Sequence, residues 1–192
     1  MTKQFLTIAV CGVLFSSCAS NITVRKPISF EGNTGQLPLT VGIFIQEDVQ
    51  ARKDQNKLIR YWLGDSLNRS IDGAFSRVFT GVRRIDSLEN IPSDIDRVAV
   101  VFFGPRTKAT TPLTVFGNVA VSFEIQCKIS TNKKDVWSGS GYGEAQKSLG
   151  ASFLLGWLIY PITEGAMRSA LQESLDNLIQ AMLKDGNVIL KV

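Results

Sequence analysis

Histidine is absent from the 192-residue chain. That removes the commonest general base, the imidazole of most nucleophile triads and the commonest metal ligand. Cysteine is scarce, with only Cys11, Cys18 and Cys127, so no C-x-x-C framework for zinc or redox chemistry can form. Blocks of five or six like charges are missing too. Lys and Arg stand singly or in pairs such as Arg83-Arg84 and Lys133-Lys134, and the formal net charge is only +4, so nucleic acid is not an expected partner. No apolar run reaches the roughly 20 residues that cross a bilayer as a helix. No G-x-x-x-x-G-K-[ST] or G-x-S-x-G motif occurs, so neither a phosphate loop nor a serine elbow is expected.

What is present begins at the amino terminus. Lys3 is followed by an apolar stretch from Phe5 to Phe15 (FLTIAVCGVLF), then Ser16, Ser17 and Cys18. A charged start, a short apolar core and small residues have the layout of a secretory signal. The four residues Phe15-Ser16-Ser17-Cys18 resemble the lipobox of bacterial lipoproteins, with Phe where Leu is commonest. The resemblance implies cleavage between Ser17 and Cys18, lipidation of the Cys18 sulfur and acylation of its new amine by a palmitate-type chain. Ala19 follows the cysteine in place of the Asp that tends to hold such proteins in the inner membrane. The implied address is the outer membrane, lipid-anchored on the periplasmic face, with surface exposure left open.

The expected organisation is a signal peptide over 1–17, a lipidated amino terminus and flexible tether over 18–38, and a single periplasmic domain over 39–192. A flexible tether of twenty residues would hold the domain roughly 25 Å from its anchor. Cys11 leaves with the signal and Cys18 is the lipid site, so Cys127 stands alone in the domain. A lone cysteine makes no internal disulfide, and stability has to come from packing.

Leu39 to Gln46 (LTVGIFIQ) is β-branched and aromatic and reads as the first strand. Leu63, Leu67, Ile71, Phe75, Val78 and Phe79 recur at helical spacing, predicting an amphipathic helix over 57–79. Val82 to Ile85 reads as a short strand and Asp86 to Asp96 as a polar loop. Val98 to Phe103 (VAVVFF) is an unbroken apolar run, as expected of a central strand covered on both faces. From Val119 to Ser130 apolar and polar residues alternate strictly, predicting one buried face and one wet one. TNKKD (131–135) then reads as a hairpin loop and 136–145 as the returning strand. Leu149 to Ile162 is apolar and uncharged, and a second amphipathic helix follows over 163–183. The order predicts an α+β fold, a mixed or antiparallel sheet with two long amphipathic helices packed on one face.

Candidate sites are few. Gly139, Gly141 and Gly143 in WSGSGYGEA lack the third glycine of a dinucleotide fingerprint, because Glu144 stands there; the spacing instead suits a strand on which another element packs closely. Asp94 and Asp96 are two acids in a loop before a strand, where Asp serves turn chemistry, and no metal site is expected. Cys127 lies between Ile125 and Ile129 on the apolar face, so it reads as an inert core thiol. Within Leu149 to Ile162, Phe153, Leu154, Trp157 and Tyr160 are the candidate contacts with membrane or a partner; burial as core is the competing reading.

The layout of lipidated cysteine, tether and strand-helix-strands-helix domain resembles two groups of outer-membrane lipoproteins, the YajG type and the LptE type. The first has no known biochemical role. The second assists lipopolysaccharide export beside a β-barrel partner. The likeness lies in element order, and no residue role is carried over. The expected function is a non-enzymatic accessory or assembly factor of a cell-envelope complex, held to the membrane by its lipid and contacting an envelope protein or a second copy of itself. The alternative is a lipid or glycolipid binding module with its pocket between the helices and the sheet. No catalytic residue and no cofactor is expected.

Overall fold

Strand β6 (Arg97–Phe103), the apolar run RVAVVFF, lies in the middle of the main sheet. The computed structural model describes residues 20–24, 26–30, 37–46, 51–53, 59–62, 64–110, 117–131, 134–149 and 159–191. On one side β6 pairs in parallel with β2 (Leu37–Ile45), which itself pairs in parallel with β5 (Phe79–Arg84). On the other it pairs antiparallel with β8 (Asn118–Ser130), followed by β9 (Asp135–Ser148) in a long antiparallel hairpin. A three-residue strand, β7 (Lys108–Thr110), also lies against β8. The result is a six-stranded mixed sheet.

The register sets one continuous apolar face. Ile43 pairs with Ala99, Ala99 with Ile129, and Ile129 with Trp137. Helix α1 (Gly64–Ser76) and helix α2 (Ile159–Lys184) share the buried core with that face. From α1 come Leu67, Ile71 and Phe75, and from α2 Met167, Leu171, Leu175 and Leu178, all essentially inaccessible. The fold is thus α+β with a mixed sheet. A short third helix, α3 (Gly186–Leu190), seats Ile189 in the core. On the opposite face Ile85 and Ile95 from the ends of the 85–96 loop cover Val98 in a second, smaller apolar cluster.

Two expectations need correction. The helix predicted from Lys57 starts only at Gly64, because residues 59–62 (IRYW) form strand β4 (Ile59–Trp62). Its β-branched and aromatic side chains favour a pleated strand over a helical turn. Nor does a flexible tether describe residues 20–24 and 26–30. Strand β1 (Ser20–Thr23) pairs in parallel with β4, which pairs antiparallel with β3 (Ala51–Lys53). Val24 and Ile28 are buried in the core, Ser66 Oγ donates to the Val24 carbonyl, and the Ile28 amide donates to Ser70 Oγ at 2.8 Å. Two buried side chains and two hydrogen bonds outweigh the turn-rich local composition.

Candidate functional site

On the face of the sheet away from the helices, the turn 104–107 between β6 and β7 folds over β8. Strict alternation predicts Ser122 and Glu124 on a wet face, but both are buried, Glu124 to 5 % exposure. The Glu124 carboxylate accepts the Arg106 amide and the Arg106 guanidinium, each at 3.0 Å. Thr107 Oγ1 accepts the Glu124 amide at 3.0 Å, and Ser122 Oγ donates to the Arg106 carbonyl at 2.7 Å. The guanidinium also lies 4.6 Å from the centre of the Tyr142 ring on β9, directly across from Glu124 in register. Tyr142 in turn donates to Glu144 at 2.8 Å.

These contacts set the protonation states. The Arg106 guanidinium donating to Glu124 holds its carboxyl below the ordinary carboxylate range, against the opposing effect of burial. The hydrogen bond to Glu144 raises the Tyr142 hydroxyl above its ordinary value. A carboxyl lowered on folding stabilises the fold above its unfolded value of about 4.3, and that stabilisation is lost as pH falls through the lowered folded value. Glu124→Gln is therefore expected to cost about 1 kcal/mol at pH 7, a modest figure because Arg106 is largely solvated. The gap to the parent should narrow as the pH approaches 3, which urea unfolding at a series of pH values measures. A gap independent of pH would show that the ionised carboxylate contributes nothing.

Helix α2 meets β9 at the glycines. A Cβ on Gly141 would fall inside the Ser174 carbonyl oxygen and 2.6 Å from the Leu178 amide nitrogen, and one on Gly143 would overlap the Ala170 carbonyl. Close approach of two backbones is what these positions serve. Ser174 Oγ donates to the Gly141 carbonyl at 2.9 Å, Asn177 Nδ2 to the Tyr142 carbonyl at 2.7 Å, and the Glu144 amide to Glu173 at 2.9 Å. Among the described residues β9 has β8 as its sheet partner, so α2 satisfies backbone groups that an edge strand would otherwise offer to another chain.

Other sequence candidates fall apart from this cluster. Asp94 pairs with Arg83 at 2.8 Å, and Asp96 accepts the Thr40 amide at 2.7 Å, each in loop or strand-end chemistry. Among the described residues no group of three His, Cys, Asp or Glu gathers as metal ligands would. Cys127 is buried, and desolvation pushes its thiol far above the ordinary range. Ser17, Cys18, Phe153, Leu154 and Trp157 lie outside the described residues, whereas Tyr160 is exposed in the first turn of α2. No helix among the described residues is long and apolar enough to cross a membrane.

The space between helices and sheet, where the alternative reading places a lipid pocket, is occupied by fully buried side chains including Phe75, Ile43, Leu171 and Leu175. An open cleft of about 610 Å³ lies instead where β2 and β5 end beside α1. Phe44, Asp65, Asn68, Arg69, Asp72 and Arg84 help line it. Its polar lining is partly self-neutralised, since Arg84 Nε donates to Asp72 at 2.8 Å. The cluster around Glu124 was missed by sequence reasoning because alternation places a side chain on a face without saying what covers it. The one available signal was an acid on a sheet strand with Arg106 beyond the Gly104-Pro105 turn.

The chain's fold has counterparts among solved structures. A Xanthomonas campestris protein of the DUF330 family superposes with a TM-score of 0.56 at 13% identity, covering 88% of this chain and 97% of that one. A Caulobacter crescentus protein described as a lipoprotein candidate gives 0.45 at 8% identity, with 78% and 92% covered. A Helicobacter pylori protein described as a candidate homologue of a neuraminyllactose-binding hemagglutinin gives 0.36 at 10%, with 86% and 91% covered. The first of these shows a shared fold. No protein-family model matches the chain, and no curated protein does.

Proposed function

We propose that the chain is a lipid-anchored envelope protein, attached through Cys18 to the outer membrane on its periplasmic side, that works as a non-enzymatic accessory subunit of an envelope complex. The observation that carries the reading is the signal layout ending in Phe15-Ser16-Ser17-Cys18. Its non-catalytic character is supported by chemistry already spent within the fold. Among the described residues the most buried carboxylate, Glu124, is neutralised by Arg106, and the Cys127 thiol is enclosed by the core without an imidazole to activate it. Arg106, Tyr142, Glu124 and Glu144 are paired with one another, which leaves them poorly placed for proton transfer. The segment holding Phe153, Leu154, Trp157 and Tyr160 is the proposed contact with the partner.

Crosslinking in intact cells tests this reading. The parent is expected to give a discrete adduct with another envelope protein, or with a second copy of the chain. In Trp157→Asp/Tyr160→Asp its yield should fall roughly fivefold, because truncated aromatic anchors dominate interface losses, while membrane-bound protein stays constant. An adduct yield unchanged in that variant overturns the contact assignment, and the absence of any adduct in the parent overturns the accessory role.

A further inference from the structure

The distance between the anchor and the folded chain is the feature that sequence composition misjudges most. Lipidation would fall on Cys18, and β1 begins at Ser20. Only two peptide steps separate them, at most about 7 Å of extended chain. Strand β1 is not free to lift away, because it pairs residue for residue with β4 and leads directly into the buried Val24.

We infer that the three-stranded sheet seats its anchor end directly on anionic lipid headgroups, so that the domain is held against the bilayer; this rests on the Cys18 anchor proposed above. The register sets which residues share that end. Asn21 pairs with Arg60 and Arg60 with Lys53, one row beyond Ser20 and Ile59. The opposite end of the sheet carries Thr23, Trp62 and Ala51. Strands β1, β3 and β4 read SNIT, ARK and IRYW, which include Arg52, Lys53 and Arg60 and no acidic residue. Lys53 and Arg60 thus fall in the second row from the anchor and Arg52 in the third, all within two residues of Ser20 along the strand direction. Attraction to an anionic surface decays over a Debye length of about 8 Å at physiological salt, comparable with the two-residue span. A coil of twenty residues, reaching roughly 25 Å, would place the same charges beyond it.

The test uses the full-length, processed and acylated protein in vesicles of phosphatidylglycerol and phosphatidylethanolamine. A fluorophore is attached to Asn21→Cys, or to Ser20→Cys should the first variant fold poorly, and quenched by headgroup-labelled lipid. The enclosed Cys127 should not compete for the reagent. Strong quenching is expected in the native chain. It should fall about threefold when twenty Gly/Ser residues are inserted between Ala19 and Ser20. It should fall about twofold when phosphatidylcholine replaces phosphatidylglycerol. Equal quenching with and without the insert, or with and without anionic lipid, overturns the seating. Flotation separates this from failure of the anchor: a chain that floats with vesicles but is not quenched refutes the seating alone, whereas one that does not float refutes the anchor and the seating with it.

Discussion

Gly141→Ala is expected to lower the free energy of unfolding by about 3 kcal/mol or more, since overpacking against rigid backbone costs more than overpacking against a side chain that can turn. The new methyl would overlap the Ser174 carbonyl oxygen and crowd the Leu178 amide. Neither group can rotate aside without moving the helix. Displacing α2 would also break the Ser174 bond to the Gly141 carbonyl and the Asn177 bond to the Tyr142 carbonyl. For a chain of this size that loss corresponds to a melting temperature lower by roughly 6–12 °C. With Gly143→Ala added, the summed cost approaches the whole stability of a typical domain, about 5–15 kcal/mol. Gly165 supplies the control. It lies in α2 with open space where its Cβ would be, so Gly165→Ala is expected to stabilise by about 0.5–1 kcal/mol through backbone entropy. Calorimetry on the two single variants should give opposite signs. Shifts in the same direction and of similar size would mean that α2 does not rest on bare β9 backbone.

Cys18→Ser is expected to deplete the chain from the outer-membrane fraction roughly tenfold or more. Each buried methylene contributes about 0.8 kcal/mol, and stable attachment needs more than one acyl chain. Serine offers no thiol for the first transfer, so lipidation of the sulfur and the processing that follows it would both fail. Mass spectrometry of the amino-terminal peptide should lose the fatty-acyl mass, and density-gradient fractionation should show the redistribution. Unchanged mass together with unchanged fractionation would remove the anchor, and with it both the envelope role and the seating of β1 on headgroups.

Some of this molecule was legible from local pattern. VAVVFF at 98–103 reads as a central strand covered on both faces; β6 lies between β2 and β8, with Ala99, Val101 and Phe103 in the main core and Val98 in the smaller cluster on the other face. The alternation from Val119 to Ser130 correctly separates Val119, Val121, Phe123, Ile125, Cys127 and Ile129 as core. Helix α2 is legible from its stripe, and the glycine spacing in WSGSGYGEA points to a close approach. The amino-terminal stretch was harder: SNIT and IRYW are four residues each and become strands only by pairing across a gap that no local window spans. Ser122 and Glu124 illustrate the same limit on the other face, where the 104–107 turn covers residues that alternation leaves wet.

Residue order alone determined the signal layout around Cys18, the exclusion of histidine chemistry and the two-faced character of the main strands, because each depends on neighbours within a few positions. Tertiary structure alone decided that α2 lies backbone to backbone on Gly141 and Gly143, that Arg106 neutralises Glu124, and that the chain from Ser20 is already paired in a sheet. Those outcomes depend on groups brought together from distant positions, 18 residues apart for Arg106 and Glu124 and 33 for Gly141 and Ser174. What covers a face is a property of the assembled fold.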